Sequence, residues 1–160
     1  MRVLSGFISS AFFLSLTIGV PFCIFKILFG LLLLRVGGKD GGLLFQCAGY
    51  LIILWAASDL AMNLFRAILD VAGQGSRIEF CTLAQAGRLL HVPRVFLALD
   101  TLITFSIICF VLWSGWIVFL GRMESYLWYF ATTLNLISLS LVGLWTELAR
   151  VHVYPVPMED

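Results

Sequence analysis

A bundle of four transmembrane α-helices is the fold class this sequence predicts, and three observations carry the prediction. Of the 160 residues, 61% are hydrophobic and only 12% charged, with a mean hydropathy of +1.04, far from the roughly quarter-charged mix of a water-soluble domain. Four apolar stretches reach the roughly 20 residues needed to cross a bilayer core. Short connections rich in glycine or charge separate them. In hydrocarbon every backbone N–H and C=O needs a partner within the chain, so single spans of this length are expected to be helical.

The spans are expected at about 7–34, 43–72, 95–120 and 126–149, in one transmembrane domain. Met1-Arg2 ahead of a long apolar run resembles the start of a signal peptide. The run continues to Leu34 without a small-residue cleavage site, so a retained helix is expected. Pro21 lies inside this first span and predicts a kink. Gly37-Gly38-Lys39-Asp40-Gly41-Gly42 predicts a tight turn that folds the first two spans into an antiparallel hairpin, and Gly121-Arg122-Met123-Glu124 does the same for the last two.

The middle connection has a pattern of its own. Ser76-Arg77-Ile78-Glu79 fits the S-x-x-E capping box that opens a helix. From there Phe80, Leu83, Ala86 and Leu90 recur at helical spacing, opposite Glu79, Thr82, Gln85 and Arg88. The pattern predicts a short amphipathic interfacial helix over about 77–91, stopped by Pro93. The short tail, 151–160, carries two prolines that favour extended backbone.

Arg2, Arg77, Arg88, Arg94 and Arg150 fall on one side of the spans, against Arg35, Lys39 and Arg122 on the other. That bias predicts cytoplasmic N- and C-termini in a plasma or inner membrane, and Trp113, Trp116, Tyr126, Trp128 and Tyr129 form an aromatic belt on the outer side. A formal charge of +1 with scattered basic residues offers no nucleic-acid stripe. Cys23, Cys47, Cys81 and Cys109 form no C-x-x-C pair and read as small apolar residues rather than metal or redox groups. No Ser or Cys has a helix-spaced His beside it, so hydrolytic chemistry is the least expected class and no enzyme is expected.

An ionisable side chain at mid-bilayer costs about 2.5–3.5 kcal/mol on insertion scales, which marks intramembrane charges as candidate functional groups. Asp59, Asn63, Arg66 and Asp70 share one face of the second span by their spacing. Counting the helical rise from the span centres places Asp59 near the midplane. The same count places Arg66, Asp100 and Glu147 in one layer toward the inner side, where Arg66 would tie the two carboxylates together. Lys26, alone in the outer half, has a stem long enough either to snorkel outward or to reach toward Asp59. His91 and His152 come to the same membrane face and are the candidate ligands for a haem or metal, although no complete metal set accompanies them. Ala57 with Ala61, and Ser5 with Ser9, are the small-x-x-x-small pairs expected to mark close helix packing.

Three functions fit this arrangement. The first is a non-enzymatic small subunit or stabilising factor of a larger membrane complex. The second is a proton- or cation-coupled transporter or channel component using Asp59, and the third a quinone- or haem-associated redox subunit. No cofactor is expected outside the third reading. The expected partners are lipid and other membrane subunits or further copies of the chain, not nucleic acid.

Overall fold

The computed structural model describes residues 10–38, 42–74, 79 and 81–153. Ser5 and Ser9, the first three residues of the capping box and the end of the tail therefore lie outside the described residues. The described chain is helical, without strands. Helix α1 comprises Ala11–Leu14, one π turn at Ser15–Gly19, and Val20–Val36. It is followed by α2 (Gly42–Val71), α3 (Thr82–Leu89), α4 (Pro93–Trp113), a 3₁₀ turn (Trp116–Phe119) and α5 (Arg122–Val153). Four of these helices, α1, α2, α4 and α5, are long and apolar enough to cross a membrane.

The irregularity expected at Pro21 takes the form of the π turn immediately before it. Proline has no N–H to donate and its ring crowds the carbonyl four residues earlier, which is Thr17, inside that turn. Thr17 turns its hydroxyl back onto the Phe13 carbonyl, at 2.8 Å, and so satisfies a group the widened turn exposes.

Helix α1 is the hub. It packs against α2, α4 and α5, whereas those three make at most marginal contact with one another among the described residues. Half of the α1 span is buried, against 17–22% for the other three, so the outer helices turn broad apolar faces outward. The hub's second half carries the dry core. Phe25, Leu28 and Leu32 pack with Ile107 and Val111 of α4 and with Leu120, Trp128 and Ala131. Phe25 meets Trp128 edge-on with centroids 4.9 Å apart, a geometry in which the ring quadrupoles attract. At that end Arg35 makes a two-pronged bond to Glu124, at 2.5 and 2.6 Å, and Glu124 also accepts the Gly121 N–H.

Two boundaries move for these reasons. The third span stops at Trp113, where Gly115 adopts φ 73° and the 3₁₀ turn begins. The fourth starts at Arg122, because Glu124 caps its first turn, rather than at Tyr126. The α1–α2 contact does not use Ala57 and Ala61, which are exposed. One close approach is Gly30 against Gly49, where a Cβ on Gly49 would lie 2.9 Å from the Gly30 carbonyl oxygen.

Gly49→Leu is expected to destabilise the protein by about 1–3 kcal/mol through overpacking, seen as a drop of several degrees in the melting temperature in detergent. Gly38→Leu, which meets nothing within 4 Å, should leave the melt unchanged.

Candidate functional site

Three ionised side chains from three helices converge inside the bundle. Lys26 Nζ of α1 donates to Asp59 Oδ2 of α2 at 2.9 Å and to Asp100 Oδ1 of α4 at 2.5 Å. All three residues are at most 4% exposed. The ammonium also lies over the Trp55 ring, 4.2 Å from its centroid, a cation–π contact that uses the remaining side of the charge. Trp55 precedes Asp59 by one helical turn, so both project from the same face of α2.

Asp59 is further held by the chain ahead of α3. Its Oδ1 accepts the Thr82 backbone N–H at 2.7 Å and the Thr82 hydroxyl at 2.8 Å, while Trp55 Nε1 donates to that same hydroxyl oxygen at 2.8 Å. Asn63 Nδ2 donates to the Asp59 carbonyl at 2.9 Å and approaches Cys23 Sγ at 3.8 Å. Cys81 is the N-cap of α3, its sulfur accepting the Ala84 N–H at 3.3 Å. Burial pushes the Cys81 thiol up to about 12, against the opposing pull of the Ala84 N–H.

A cavity of about 170 Å³ adjoins the cluster. Leu14, Ile18 and Phe22 of α1 and Leu97 of α4 form its apolar walls, and Cys23, Asn63, Cys81 and Thr101 join the three ions at its polar end. It runs along the first half of α1, from Leu14 to Lys26, whereas the second half is closed by the aromatic core. Among the described residues the cavity lies on the Leu14 side of the cluster. With both carboxyls and the amine ionised the cluster would carry a net charge of −1, costly in low-dielectric surroundings unless a cation or proton joins it.

Asp59 and Asn63 of the expected stripe lie at this site, and of the two placements open to Lys26 the one toward Asp59 is found. Asp70 instead accepts the Phe12 N–H at 2.8 Å and caps the first turn of α1. The layer expected from Arg66, Asp100 and Glu147 does not form. Asp100 pairs with Lys26, Arg66 lies 4.0 Å from Glu79, and Glu147 is exposed. The cause is the span boundaries. With α4 running from Pro93 to Trp113, Asp100 falls about 5 Å from the centre of its helix. Lys26 and Asp59 lie within a similar distance of the middle of theirs.

The α3 helix is shorter than the expected 77–91 and begins at Thr82. It does not simply lie at the helix ends. Asp59 is twelve residues short of the α2 terminus, about 18 Å along the axis, and Thr82 reaches it. Glu79 meets Arg66 nearer the end of the same helix, so Thr82 lies further back along α2 than Glu79 does. Cys81, Ala84 and Gly87 face inward while Ala86 and Leu90 stay outside.

His91 is an exposed turn residue with φ 62°. Its N–H donates to Arg88 and that of Val92 to Gly87, the Schellman pattern that ends a helix, so its backbone explains its position. The side chain of His152 lies outside the described residues. Among the described residues no group of three metal-ligating side chains forms.

Sequence reasoning missed Trp55, Thr82 and the inward role of Cys81. The i, i+4 spacing of Trp55 and Asp59 was a usable signal; for Thr82, which was expected on the water-facing side of the helix, there was none. No family model, curated protein or solved structure matches this chain.

With Cys23, Cys47 and Cys109 replaced by Ala, alkylation of Cys81 by a small neutral maleimide should run roughly a thousandfold slower at pH 8 than that of a free cysteine of pKa ~8.5. The rate should still be rising about tenfold per pH unit at pH 10, because the thiolate is the reactive form. A plateau near pH 9 would place Cys81 in water.

Proposed function

We propose that this chain is an integral membrane protein, with both termini cytoplasmic, that serves as a non-enzymatic proton- or cation-coupled transport component. The observation that carries this reading is a cavity that adjoins a buried cluster of two carboxyl groups and one amine. A purely structural ion pair has no use for an adjoining space. A binding site for a small cation needs one, together with a negative charge at its end.

Four helices are few for alternating access, so the active form would be a homo-oligomer or a complex with other membrane subunits. The outward apolar faces of α2, α4 and α5, including Tyr50, Leu54, Leu102, Phe130 and Ile137, support lipid or subunit contacts. On this reading a role as a complex subunit and a role in coupling are one function.

Reconstituted vesicles loaded with a pH-sensitive dye and given an inside-negative potential test it. Wild type should admit protons faster than protein-free vesicles. Asp59→Asn and Asp100→Asn should each slow entry by about tenfold or more, the equivalent of about 1.4 kcal/mol on the barrier. Flux no faster than in protein-free vesicles, with either protons or sodium as the ion offered, would refute the reading.

A further inference from the structure

We propose that the proton taken up by the cluster resides on Asp100, that Asp59 stays an anion throughout, and that Thr82 fixes this division. The assignment rests on the proton-coupled reading above, and on an accounting of donors and acceptors.

Every group around the Asp59 carboxylate is a donor. Lys26 Nζ has only protons to give, and so has the Thr82 backbone N–H. The Thr82 hydroxyl could in principle reverse. However, indole Nε1 of Trp55 is donor-only and already supplies that oxygen with a proton, which directs the hydroxyl's own proton to Asp59 Oδ1. Of the roughly four lone-pair sites a carboxylate offers, donors already take three at Asp59, and each such bond favours the charged form over the acid.

Asp100 has no such cage. Its Oδ1 accepts from Lys26, and among the described residues no second donor reaches the carboxyl. Its carboxyl borders the cavity beside Thr101. The titratable groups that face it are Lys26 and Cys23 of α1, Asp59 of α2, and Cys81 ahead of α3. The start of α3 thus serves the two carboxylates unequally: Thr82 gives Asp59 two bonds and Asp100 none.

Charge balance sets the stoichiometry. One proton turns a cluster of two carboxylates and one ammonium into a neutral one. The proton enters through the cavity and bonds to an oxygen of Asp100, which becomes a carboxylic acid. Lys26 then keeps a one-to-one ion pair with Asp59, and nothing is oxidised or reduced.

Carbon-13 NMR of the full-length protein in lipid nanodiscs, with the aspartate side-chain carboxyl labelled, tests this. The two signals are assigned by their loss in Asp59→Glu and Asp100→Glu. Between pH 9 and pH 4 the Asp100 signal should make the full carboxylate-to-acid shift while the Asp59 signal stays at its carboxylate position. Thr82→Val, or Trp55→Phe if that variant fails to fold, should make the Asp59 signal move as well. Movement of Asp59 with Asp100 fixed, or of neither, would overturn the assignment. Titration of Asp100 without vesicle flux would sink only the transport reading, and flux without titration of Asp100 only this one.

Discussion

An ammonium shared between two carboxylates is the constraint to which the rest of the structure answers. Lys26, Asp59 and Asp100 come from three separate helices, and all three are buried. Each ion alone in such surroundings would carry a cost of several kcal/mol. Each is tolerable only with the others at hydrogen-bonding distance, which fixes how α2 and α4 sit on α1, both in rotation and in height. Trp55 and Thr82 then complete the shell, so that even the connection between α2 and α4 is drawn up to the level of the ions.

The two halves of α1 follow from this. From Phe25 onward the helix packs Phe25, Leu28 and Leu32 against Val111 and Trp128 and is locked at its end by Arg35 and Glu124. Before Lys26 it contains the π turn that precedes Pro21, and there the cavity lies. The Gly30–Gly49 contact holds α2 close enough for Asp59 to reach Lys26.

Much of this was legible in the sequence. Hydropathy shows the four helices, and the spacing of Asp59, Asn63, Arg66 and Asp70 shows one polar face on the second. The stem of Lys26 left two placements open, outward or toward Asp59. The layer of Arg66, Asp100 and Glu147 failed because depth was counted from span ends that composition blurs: Trp116 and Phe119 are as apolar as the helix they follow, yet Gly115 has already ended it. Thr82 was hidden for a different reason. Its bonds to Asp59 depend on a connection folding back between helices, and local periodicity carries no information about such a path. His91 shows the converse, a chemically suggestive side chain whose place is set by its backbone.

The most direct test of the central claim is a double-mutant cycle between Lys26 and Asp100, followed by unfolding in detergent. Lys26→Met leaves two buried carboxylates unopposed and should cost about 3–5 kcal/mol. Asp100→Asn alone leaves the Lys26–Asp59 pair intact and should cost far less. Combined, the two changes should give a protein more stable than Lys26→Met alone, with a coupling of at least about 1.5 kcal/mol. Additivity within about 0.5 kcal/mol would contradict a shared ion cluster.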